Sequence, residues 1–99
     1  MRTVRQGDVL FIRRDRAPRK GLNKQDGVIA QGTATGHTHR LRQDQKSRLV
    51  DIESCLYVVA RATAYVDHEE HTTITLSPGT WEIRRQRESV PEGFRQIED

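Results

Sequence analysis

Cysteine occurs once in the 99 residues, so the chain can form no internal disulfide and has no cysteine pair for a zinc ribbon. A reducing, cytoplasmic setting is the expectation. The one thiol, Cys55, adjoins Leu56, Tyr57 and Val58 and reads as a small core residue rather than a nucleophile. Long apolar runs are also missing. The longest, Cys55–Ala60, is too short to cross a membrane, and the first ten residues lack the apolar stretch of a secretory leader. Aromatics are few, with one Trp, two Tyr and two Phe. Helical periodicity is almost absent, since residues 23–26 and 43–47 make single turns at most. No internal repeat and no low-complexity tract interrupts the chain.

What is present fits one small β domain spanning residues 1–99. Its charge is uneven. Residues 1–50 carry 12 Lys or Arg against 4 Asp or Glu, whereas residues 51–99 carry 5 against 10. The basic excess is densest in a Pro- and Gly-containing loop over residues 13–24, with Arg13, Arg14, Arg16, Arg19 and Lys20. Such a loop can contact the phosphates of a nucleic acid. It can equally be a solvated loop balanced by the acidic half, and it holds no aromatic residue for base stacking.

The dominant period is two. Gly7-Asp8 signals a turn and residues 9–12 a buried strand, with further strands expected over 27–30, 38–42, 48–52, 72–76 and 80–87. The strongest alternation runs over residues 55–68. There Leu56, Val58, Ala60, Ala62, Ala64, Val66 and His68 share one face, which reads as a single long strand with that face in the core. Trp81 and Ile83 alternate with Glu82 and Arg84, and Trp81 reads as core. Pro91 and Gly93 predict a loose tail over 89–99. Six to eight short strands of this kind predict an all-β barrel or sandwich.

All four histidines fall into two close pairs, Gly36-His37-Thr38-His39 and His68-Glu69-Glu70-His71. On a strand, His37 and His39 share a face about 6.5–7 Å apart. His68 is in phase with the core face, and a turn is needed to bring His71 beside it. Neutral imidazoles at such spacing suit one divalent ion, Zn, Fe, Ni or Mn. Glu69 and Glu70 are the candidate catalytic carboxylates, as general base or as partners of an imidazole N–H. The competing reading is two unrelated surface pairs. The second histidine comes at i+3, so the His-Glu-x-x-His metalloprotease pattern is not met.

Arg85 and Arg87 are in phase with Trp81 and Ile83. An inward arginine is costly unless paired, so the expectation is an anion-binding role near the histidines, with a carboxylate as partner. The alternative is a strand leaving the core with its last residues exposed. Tyr57 and Tyr65 lie on the polar side of the long alternating segment.

Gly32, His37, His39 and Asp44 are similar to the first metal-binding motif of the cupins, with Asp for the usual Glu and one residue less in the spacing. That resemblance implies a small barrel with a metal bound by His and an acidic residue. A broader pattern resembles a group of small uncharacterised bacterial and phage proteins. It comprises Gln6-Gly7-Asp8-Val9-Leu10, Gly36-His37-x-His39, His68-x-Glu70-His71, Ile74, Leu76, Pro78-Gly79, Glu82 and Arg85-Gln86-x-Glu88. This likeness implies one domain and a shared site, without naming a reaction.

The function expected is therefore a divalent-metal-binding β protein, with catalysis undecided, that takes a small anionic ligand and pairs into a homodimer through open sheet edges. The alternative is a non-enzymatic interaction or accessory module that binds protein or nucleic acid through its basic half.

Overall fold

A computed structural model describes residues 2–16, 18, 21–31, 36–44, 46–85, 87–90 and 93–96, with only the backbone pairing described beyond residue 85. The hairpin signal at Gly7-Asp8 is realised. Strand β1 (Thr3–Gln6) turns through Gly7, at φ +59°, into β2 (Val9–Arg14). This left-handed backbone is open to glycine at little cost. The following strands are β3 (Leu22–Asn23), β4 (Val28–Gln31), β5 (Thr38–Leu41), β6 (Ser47–Ile52), β7 (Cys55–Ala60), β8 (Ala64–Asp67), β9 (Ile74–Leu76) and β10 (Gly79–Arg85). The fold is all-β. One antiparallel sheet has the order β1-β2-β10-β7-β6-β3, and the second has the order β4-β5-β8-β9. Strand β1 lies beside β9, where an edge of one sheet meets an edge of the other. Strands β11 (Arg87–Val90) and β12 (Gly93–Gln96) pair with each other.

The core lies between the two sheets. Val9, Phe11, Leu49, Val58 and Trp81 enter from the first, and Ile29, Leu41, Ala64, Val66 and Leu76 from the second. The indole N–H of Trp81 donates to the Ser77 carbonyl at 2.9 Å, so its one polar atom is satisfied inside the core.

Residues 55–68 do not form one strand. The chain leaves the first sheet after Ala60, bends through residues 61–63 and enters the second as β8. Parity nonetheless survives. Val58, Ala60, Ala64, Val66 and His68 are buried, and Leu56 and Ala62 half-buried. Both sheets face the same core, so the alternating pattern cannot tell a continuous strand from a crossing between sheets. Cys55 is exposed rather than in the core. It follows a turn in which Glu53 and Ser54 have φ of 48° and 69°, and it falls on the odd, outward parity. The two sheets hold ten strands, more than the six to eight expected, because residues 55–68 make two strands and the short pieces β1 and β3 carry too little apolar alternation to stand out.

Candidate functional site

Three local rules build the site. In β5 the period of two sends His39 and Leu41 inward and leaves Arg40 exposed. Opposite this pair, β4 carries a register shift at Ile29, so Ala30 pairs with His39 and Val28 with Arg40. A bulge of this kind re-aims the strand locally. After β8, the His68 Nδ1 accepts the backbone N–H groups of Glu70 at 3.0 Å and of His71 at 3.2 Å. That closes the turn that the i+3 spacing requires.

These devices bring the two histidine pairs together. Ring centroids lie 4.4 Å apart for His39 and His68, 4.5 Å for His68 and His71, 5.6 Å for His37 and His68, and 6.1 Å for His39 and His71. The β1–β2 turn packs against the same cluster. A Cβ added to Gly7 would stand 2.7 Å from the His71 Nε2 and 3.3 Å from the His39 Cε1.

Gln6 and Asp8, on either side of that glycine, are both buried. The Gln6 amide N–H groups donate to the carbonyls of Val66 at 2.9 Å and Thr72 at 3.0 Å, so its Oε1 must face the His39 Nδ1, 2.8 Å away. An oxygen there can only accept, which places a proton on the His39 Nδ1. The His39 Nε2 lies 3.5 Å from the Asp8 Oδ1. The other carboxylate oxygen, Oδ2, accepts from the Arg85 Nε at 2.7 Å. The Asp8 Oδ1, the His71 Nε2 and the Arg85 Nη2 are buried without a hydrogen-bond partner.

The remaining candidates divide. The Glu69 carboxylate accepts the Thr38 N–H at 3.0 and 3.2 Å, a bond that holds its pKa below the ordinary glutamate range. Glu69 thus clamps the 68–71 turn to the start of β5. Glu70 is exposed, with an oxygen 3.4 Å from the His37 Nε2. The His68 Nδ1 lone pair is spent on two backbone N–H groups, so a neutral His68 carries its proton on Nε2 and positions His71.

The cupin-like carboxylate lies elsewhere, since the Asp44 Oδ1 accepts the N–H groups of Lys46 and Ser47 and the Ser47 hydroxyl at 2.8–2.9 Å. Among the basic-loop residues, Arg13 sits 5.6 Å over the Trp81 ring and donates to the Ser77 hydroxyl. Arg14 pairs with Glu82 at 2.8 Å, and Arg16 is exposed. Arg19, Lys20, Gly32 and the side chain of Arg87 lie outside the described residues.

Sequence reading missed Asp8, which passed as a turn residue, and Gln6. Their signal was present in Gln6-Gly7-Asp8, a glycine flanked by two polar residues just before an apolar strand. Among the described residues, no group of three or more His, Cys, Asp or Glu side chains is placed to hold a metal ion as it stands.

A family model described as Domain of unknown function (DUF8820) matches residues 5–86. The chain is a DUF8820 domain. The match takes in the Gln6-Gly7-Asp8 turn, both histidine pairs and Arg85, so the whole cluster falls within the DUF8820 segment. No curated protein and no solved structure matches the DUF8820 chain significantly.

Proposed function

We propose that this domain binds one divalent metal ion at the buried histidine cluster, with the His39 Nε2, the His71 Nε2 and the Asp8 Oδ1 as ligands. The observation that carries the reading is the position of Gln6. By holding the proton on the His39 Nδ1, it leaves a neutral His39 with a lone pair on Nε2, facing a carboxylate oxygen at 3.5 Å. Two acceptors so placed repel unless a cation or a proton stands between them. The Gln6–His39 bond is also the outer partner that a metal-bound imidazole commonly has. Two imidazoles and a carboxylate suit Zn or Fe, with Ni and Mn as further candidates, and leave positions open for water or substrate. Closing the site needs a rotation of the half-buried His71 towards Asp8. His68 and Glu69 hold the 68–71 turn in place, and the exposed Glu70 is the group able to carry a proton to and from solvent.

A second reading rests on the same 3.5 Å contact. A protonated His39 would form an ion pair with Asp8, and the cluster would then be structural, in a non-enzymatic accessory or interaction module.

Elemental analysis of tag-free protein separates the two. The expected result is about one metal per chain, lost on His71→Ala, Asp8→Asn and Gly7→Ala with the fold retained. Alanine at position 7 would put a methyl group where the His71 Nε2 now packs. Metal-free protein that takes up none of the four ions on titration overturns the metal reading and leaves the ion pair.

A further inference from the structure

A cleft of about 210 Å³ opens between the two sheets, next to the cluster but outside it. Its walls are Val9, Leu56 and Ile83 from the first sheet and Ile29 and Ala30 from the second, with Ser54 at the β6–β7 turn, and Arg85 is the one charged residue among the described lining residues. Among the described residues, no carboxylate lines it. Arg85 spends its Nε on Asp8, while its Nη2 is buried without a hydrogen-bond partner. An arginine presents five N–H donors in a rigid fork, and leaving one of them dry is costly.

We infer that this cleft binds a small aliphatic monocarboxylate, its carboxylate held by the Arg85 guanidinium and its hydrocarbon tail between the sheets. Guanidinium and carboxylate match in shape and charge, and the side chain of Arg85, 21% exposed, can offer the cleft the edge of its fork that Asp8 does not take. The apolar walls select a hydrocarbon body over a sugar or a phosphate ester. At about 30 Å³ per water-sized group, the volume admits about seven heavy atoms, the size of 3-methylbutanoate. The site stands on Arg85 and the cleft walls and needs no metal ion.

The test is titration of the tag-free protein with 3-methylbutanoate, followed by NMR or calorimetry, with 3-methylbutanamide as the neutral isostere. Saturable binding of the acid is expected, about tenfold or more weaker for the amide and for Arg85→Gln. The variant Ala30→Leu fills the cleft without touching the guanidinium, and it too should lose binding. Should Arg85→Gln fail to fold, Ala30→Leu and the amide still decide. Repeating the titration with a chelator isolates any metal. Acid binding that vanishes with the chelator but survives Arg85→Gln would place the carboxylate on a metal ion and overturn the inference. No binding of the acid, or binding unchanged in Ala30→Leu, would overturn it as well.

Discussion

Gln6 shows how much one side chain can fix. Its two N–H groups tie β1 to the carbonyls of Val66 and Thr72, and its oxygen sets the tautomer of His39. Replacing it with leucine keeps the volume and strands two carbonyls and an imidazole N–H in a buried place. Gln6→Leu should therefore lower the unfolding free energy by roughly 2–4 kcal/mol, measured by urea denaturation. A loss within experimental error would mean that water replaces the amide and that the tautomer of His39 is not held by Gln6. Gly7 acts by what it lacks. Its positive φ and the His71 ring beside its missing Cβ make it the one residue that lets the β1–β2 turn lie on the cluster.

Between elements, charged ladders stitch neighbouring strands on the outer faces. Arg42 grips Asp67 through two bonds of 2.8 and 2.9 Å, and the Thr73 hydroxyl adds a third at 2.7 Å. Arg42 first, then Thr73, holds the Asp67 carboxyl below the usual aspartate range. Glu82 is held down in the same way by Arg84 and then Arg14, across the β2–β10 pair. Carboxylates with depressed folded pKa values contribute their stability above the unfolded pKa and lose it as pH falls through the folded one. The melting temperature should thus fall as pH drops below about 4, the ordinary carboxylate range. Asp67→Asn should make that acid decline shallower while changing little at pH 7, because the pair is largely exposed. An acid profile identical in Asp67→Asn would remove this pair from the account.

At the scale of the whole molecule, two arginines of the basic segment already have partners inside the protein. Arg13 is laid over Trp81, and Arg14 is bonded to Glu82. The binding of a generic DNA duplex should accordingly be weak, with a log–log salt slope below about 2 in magnitude. A slope of about −5 or steeper would mean that these arginines exchange their internal partners for phosphates, and it would favour the nucleic-acid reading.

The alternation of residues was enough to determine the all-β class, the inward side of most strands, the burial of Trp81 and the inward aim of His68. These follow from side-chain parity, which is local. The pairing of all histidines in two short motifs was equally legible as a candidate cluster. The sequence could not reveal that residues 55–68 cross between sheets, because both sheets face one core and the parity is the same for either path. Nor could it reveal that Asp44 caps a turn while Asp8 joins the histidines, since two aspartates at polar positions look alike until pairing sets their neighbours. The partner of Arg85 lies 77 positions away in the chain, and only the β2–β10 pairing brings Asp8 within 2.7 Å of it. Local pattern decides which way a side chain faces; sheet order, a long-range property, decides what it meets there.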